Sequence, residues 1–173
     1  MTTKKLVTLS LFAALCFVST LYLKIPLPFL GPNSMMHLGT TVIFVSAVLI
    51  GPAAGYSSAI GMTLSDIFAY PTYAIPTFII KGLHGYATGK IAYLNNKQGT
   101  STLQNLIGFI VGSLISLVGY FITDAIFYKN VYTALTSAIG SLLTSGIGII
   151  LALIIVSALK PVLKRSQTFS NGR

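Results

Sequence analysis

Residues 103–123 read LQNLIGFIVGSLISLVGYFIT, a run with no charged side chain. A hydrocarbon core of about 30 Å is crossed by roughly 20 apolar residues in a helix, so this run is long enough to span one. Its apolar positions do not alternate with polar ones, which excludes a strand of a membrane barrel. Backbone groups in lipid find no water to bond, and a helix satisfies them within its own segment.

Working outward from this run, the same signature recurs at about residues 5–23, 38–50, 53–69, 74–93 and 133–159. The pattern predicts an all-α integral membrane bundle of six transmembrane helices, with residues 1–173 forming a single substrate-binding domain. Pro26, Pro28, Gly31 and Pro32 stop the first helix, and Gly51-Pro52 separates the second from the third. Pro71 and Pro76 bound the next junction, and Asn95 to Gly99 form a polar turn. Composition agrees, with 54% hydrophobic and 8% charged residues in 173 and a mean hydropathy of +0.84. Those values lie outside the range of soluble domains and leave no room for a soluble catalytic one.

The net charge of +9 is spread through short loops and the chain ends, so it does not read as a nucleic-acid surface. Lys4 and Lys5 ahead of an apolar stretch imitate a secretory signal. The stretch has no small-x-small cleavage site and leads into further spans, so it is read as the first helix. With six spans, Lys4, Lys5, Lys90, Lys97, Lys160, Lys164, Arg165 and Arg173 fall on the side of the termini. Lys24 and Lys129 fall on the other side, and Lys81 lies at membrane depth. The positive-inside rule then puts both termini in the cytoplasm. The single Cys16 supports neither a disulfide framework nor a metal site and reads as a small apolar filler.

Ionisable groups at membrane depth are costly and normally face a pocket or a partner. Only two residues of the chain are acidic, Asp66 and Asp124. On the fourth helix Thr77, Lys81, His84 and Thr88 recur at helical spacing and form one polar stripe. Ser113, Ser116, Tyr120, Thr123 and Asp124 share a face of the fifth, and Thr133, Thr136, Ser137, Gly140, Ser141 and Thr144 a face of the sixth. Chain direction brings Lys81, Tyr120, Asp124 and Ser137 into the outer half of the bilayer, below a loop that carries Asn33, Ser34 and His37. Tyr70, Tyr73 and Tyr128 stand near the rim. The candidate substrate-binding set is therefore Asn33, His37, Asp66, Tyr73, Lys81, His84, Tyr120, Asp124 and Ser137, enclosing a small polar, partly aromatic molecule.

Plainer roles stand beside each of these. Lys81 can pair with Asp66 or Asp124 as a buried ion pair, His84 can be a satisfied core histidine, and Asn33 and His37 can be solvated loop residues. The tyrosines can form an interfacial belt, and the Ser and Thr residues can bond between helices. Gly85 with Gly89 and Gly108 with Gly112 are small-residue pairs that permit close helix approach. No phosphate-binding G-x-x-x-x-G-K-[ST] loop, H-E-x-x-H or G-x-S-x-G motif is present, so no catalytic residue and no metal ligand is assigned. Any ATP-driven step belongs to another chain.

The stretch from His37 to Gly55, with its Gly51-Pro52-x-x-Gly55 ending, is followed by Gly61 to Asp66 and by Ala74-Ile-Pro-Thr-Phe-Ile-Ile-Lys-Gly82. Together these resemble the substrate-binding S component of energy-coupling-factor (ECF) vitamin transporters, over about residues 5–160. The resemblance implies a six-helix protein of the bacterial cytoplasmic membrane that captures one vitamin near its outer face. It also implies a transmembrane coupling subunit and two ATPase subunits as partners, with ATP consumed there and no cofactor in this chain. The family's Ala-x-x-x-Ala contact for the coupling subunit falls on Ser10-Leu-Phe-Ala-Ala14, which implies a partner surface of Ser10, Ala13, Ala14 and Phe17. Within the family the sequence looks most like the branch linked to hydroxymethylpyrimidine or pyridoxine-type ligands, with pantothenate and niacin as further options. Ligand is expected to order the loop from Lys24 to His37 over the pocket. The competing expectations are a small membrane enzyme acting on a lipid or isoprenoid through Asp66, His84 and Asp124, and a structural or channel-forming bundle.

Overall fold

Gly51 takes a positive φ of 65°, a conformation that glycine adopts without strain, and Pro52 after it cannot continue the preceding helix. The chain therefore turns between its second and third helices where the sequence marks a break. In the computed structural model of the protein, residues 3–27 and 35–171 are described, with side chains up to residue 161. They form α1 (Thr3–Leu21), β1 (Lys24–Pro26), β2 (Met35–His37), α2 (Gly39–Ile50), α3 (Ala54–Ala69), α4 (Ala74–Ala92), α5 (Thr102–Tyr128) and α6 (Val131–Asn171). Asn33, Ser34, Pro28, Gly31, Pro32, Arg173 and the side chains of Lys164 and Arg165 lie outside the described residues.

Among the described residues four segments are long and apolar enough to cross a membrane: Thr3–Leu21, Gly39–Ala69, Thr102–Tyr128 and Val131–Pro161. The second joins α2 and α3 across the Gly51 turn. A 12-residue α2 rises about 18 Å, too little to cross a core of about 30 Å by itself. Its position explains the shortness. Neighbouring pairs run α1 to α3 to α4 to α5 to α6, and α2 fills the space between them, packed on α1, α3, α4 and α6 and stacking Phe44 on Phe109 of α5 at 4.5 Å. No residue of α2 is exposed, and a helix apolar on all sides belongs in such a place.

On α4 the stripe Thr77, Lys81, His84 and Thr88 is buried, while Ile75, Phe78, Ile79 and Leu83 face outward. Carrying that polar seam keeps α4 out of the set of apolar spans. Glycines bring its neighbours close. A β-carbon on Gly89 would overlap the Gly51 carbonyl, and one on Gly85 would overlap the Ser58 hydroxyl of α3. Gly108 and Gly112 do the same for α5, lying against the Thr88 carbonyl and the His84 ring. Both small-residue pairs thus serve packing inside the chain.

A two-stranded antiparallel hairpin, absent from the sequence reading, pairs Lys24 with His37, Ile25 with Met36 and Pro26 with Met35. Thr144 Oγ1 of α6 donates to the Met35 carbonyl at 3.1 Å and ties the hairpin to the bundle. At the other end, positive φ angles at Asn95, Asn96, Gln98 and Gly99 make the tight turn between α4 and α5. Ser101 caps α5 by accepting from the Gln104 amide.

Candidate functional site

Beneath the hairpin all six helices contribute to one cavity. Its non-atom space is about 810 Å³, including the part open to the outside. Met35 and His37 of β2 form the roof, Thr20, Thr40 and Met62 stand on α1, α2 and α3, and Lys81 and Ser116 reach in from α4 and α5. Ser137, Gly140, Ser141, Thr144 and Ser145 line the α6 wall.

Each acid is held by hydroxyls. Thr77 Oγ1 donates to Asp66 Oδ2 at 2.5 Å and stands 2.9 Å from the Tyr120 hydroxyl. As the threonine hydrogen goes to the carboxylate, Tyr120 donates to Thr77. Tyr73 donates to Asp124 Oδ1 at 2.6 Å, and Ser137 is a second partner of that carboxylate. Charge-assisted bonds of this kind fix a carboxylate more firmly than neutral ones. Each acid keeps acceptor capacity toward the cavity, since an ionised carboxylate offers about four lone-pair sites.

Lys81 is placed differently. Its Nζ lies 3.3 Å from Ser116 Oγ and 5.2 Å from the centre of the Tyr120 ring. Neither Asp66 nor Asp124 forms an ion pair with it among the described residues. The buried ion pair weighed for Lys81 is therefore not made, because the carboxylates are engaged by Thr77 and Tyr73 while the ammonium leans on α5. A buried ammonium with donors to spare is chemically suited to a ligand acceptor.

Of the nine candidate residues, His37, Asp66, Tyr73, Lys81, Tyr120, Asp124 and Ser137 line the cavity. His84 does not. It lies one turn deeper than Lys81, fully buried, with Nδ1 2.7 Å from Ser116 Oγ and its ring 5.1 Å from that of Phe44. Asn33 is outside the described residues. Asp66, His84 and Asp124, the centre required by the enzyme reading, do not form one cluster, since His84 is spent on Ser116. Thr20, Met35, Thr40, Met62 and Ser145 were missed, because none belongs to a polar seam read along a single helix.

The four residues of the α1 surface divide. Ser10 and Ala14 are exposed, Ala13 is turned inward against Gly61, and Phe17 packs edge-on to Phe68 at 5.9 Å.

The family model for the S component of ECF-type riboflavin transporters matches residues 1–161. The chain is 28% identical over 142 residues to a Pyrococcus woesei protein described as an uncharacterized protein in the gap 3′ region, covering 78% of this chain and 92% of that one. A solved structure described as the S component of a bacterial ECF transporter superposes with a TM-score of 0.70 at 20% identity, covering 93% of this chain and 98% of the other. At that identity the superposition speaks for the fold.

Proposed function

The chain belongs to the family of S components of ECF-type riboflavin transporters, and from that membership and the cavity we propose that it captures a riboflavin-type vitamin for uptake. S components of ECF transporters pair with a transmembrane coupling subunit and ATPases. In this reading the chain supplies the binding site, has no cofactor of its own, and crosses the membrane six times with both termini in the cytoplasm. The cavity under the hairpin then opens outward.

The observation that carries the proposal is the buried Lys81, in no ion pair among the described residues, beside Tyr120 and facing a wall of hydroxyls. An uncharged heteroaromatic ring offers carbonyl and ring-nitrogen acceptors to Lys81, ring N–H to a carboxylate, and a flat face to tyrosine. Ser137, Ser141 and Thr144 recur at helical spacing on α6 and suit a polyhydroxylated chain attached to such a ring. That combination favours riboflavin over hydroxymethylpyrimidine or pyridoxine, which have rings of similar chemistry but no such chain.

The chain contains no tryptophan, so flavin fluorescence is followed without interference from indole. Riboflavin is expected to be quenched in a saturable manner by the detergent-purified protein. Lys81→Met, which keeps the volume and removes the donor, is expected to weaken binding at least tenfold, about the worth of one bond to a charged group. Displacement by a lower concentration of hydroxymethylpyrimidine or pyridoxine would reassign the substrate to that branch; no binding by any of the three would sink the proposal.

A further inference from the structure

A lysine on a flexible four-carbon stem recognises a ligand poorly unless its head is held in one direction. What holds Lys81 lies beneath the cavity. Ser116 Oγ is 3.3 Å from Lys81 Nζ and 2.7 Å from His84 Nδ1. An ammonium only donates, so the serine oxygen accepts from Lys81. Ser113, three residues away on α5, donates back to the Phe109 carbonyl at 2.8 Å. Ser116 makes no such bond, and its hydrogen is available to His84 Nδ1. With the Ser116 hydrogen given to Nδ1, the imidazole carries its own hydrogen on Nε2, a buried atom without a hydrogen-bond partner among the described residues.

The far end of this chain is rigid. His84 is 0% and Ser116 3% exposed, Phe44 lies against the imidazole, and a β-carbon on Gly112 would stand 2.6 Å from Cδ2 and 2.9 Å from Nε2. The histidine has nowhere to turn. Leaving its Nε2 unpaired is a cost that packing alone does not explain, since an apolar residue of similar size would avoid it.

We infer that Ser116 and His84 are positioning residues: the directed chain from Lys81 through Ser116 to His84 anchors one N–H of the ammonium and turns the other two into the cavity. Lys81 thereby acts as a double donor to the acceptor edge of an uncharged heteroaromatic ligand. This role for Lys81 rests on the vitamin-binding reading, whereas the direction of the chain is a property of the empty protein.

The test has one arm for each. The chain holds two histidines, His37 and His84, so nitrogen-15 spectra of histidine-labelled protein contain two imidazoles, and His37→Gln assigns them. The ligand-free wild type is expected to show His84 with its hydrogen on Nε2, and Ser116→Ala to lose that preference. A hydrogen on Nδ1 would overturn the inference. In the second arm, riboflavin titration of Ser116→Ala and His84→Leu is expected to show binding weakened about tenfold or more. His84→Asn, whose amide reaches the Nδ1 position, is expected to recover to within about threefold of wild type. Wild-type affinity in Ser116→Ala and His84→Leu also overturns it. If no riboflavin binds while His84 carries its hydrogen on Nε2, the ligand proposal fails and the directed chain stands. Should a variant fail to fold, the wild-type spectrum still decides the direction.

Discussion

His37 and Lys81 are two nitrogen-bearing side chains of the cavity wall, and their surroundings treat them differently. Lys81 has a serine and a ring face for company, while His37 sits in β2 opposite Lys24 with Nδ1 shut off from solvent and without a hydrogen-bond partner among the described residues. Burial first, then the charges of Lys81 and Lys24, push the His37 imidazole from its ordinary 6.5 down to about 3. Between those values the unfolded chain binds a proton that the folded protein refuses. The contribution of His37 to stability is therefore intact above about 6.5 and is lost as pH falls toward about 3. Thermal unfolding midpoints are expected to drop between neutral pH and about pH 5, with a shallower drop in His37→Gln. Parallel curves would mean that His37 is not held neutral. At this scale the sequence marked seven residues that line the cavity, because a charged or polar group on an apolar helix stands out. It did not tell Lys81 from His84, which share a stripe, since depth below the hairpin decides which one reaches the cavity.

Helices were legible because their interruptions are written in glycine and proline, and each expected segment matches an observed helix to within a few residues, except where α5 and α6 run on. The β1–β2 hairpin was not legible. Strands of three residues have too little pattern to announce themselves, and Thr144, which bonds to the hairpin, lies far away in the chain on α6. Glycine roles also separate at this scale. Gly89 lies against the Gly51 carbonyl, whereas a β-carbon on Gly146 would meet nothing within 4 Å. Gly89→Ala is expected to destabilise the detergent-purified protein by about 1–3 kcal/mol, the usual cost of overpacking. Gly146→Ala is expected to be neutral or to stabilise by up to about 1 kcal/mol through helix propensity. Equal thermal shifts for the two would contradict the close packing of α4 on the Gly51 turn.

Across the whole molecule, the six-crossing arrangement proposed above would place the turn at Asn95 to Gly99 in the cytoplasm and the 3-10 turn at Pro71–Tyr73 outside. Cys16 is the only cysteine and is 0% exposed, so the native chain is a silent background for thiol labelling. In intact cells a membrane-impermeant thiol reagent is expected to label Thr72→Cys and to spare Asn96→Cys until the membrane is opened. Labelling of Asn96→Cys in intact cells would invert the proposed orientation. On α1, Ser10 and Ala14 are exposed, while Ala13 is already committed to Gly61.

By itself the sequence determined the all-helical class, the helix boundaries and the polar seams, because lipid allows few backbone solutions and a polar residue in an apolar run must turn inward. Tertiary structure alone decided what those seams do. Whether Lys81 meets Asp66 or faces an open cavity depends on which hydroxyls have already taken the carboxylates. Whether His84 reaches the cavity or bonds beneath it depends on one serine of α5, 32 positions away in the chain. Such choices are set by distances between helices, and a one-dimensional pattern does not contain them.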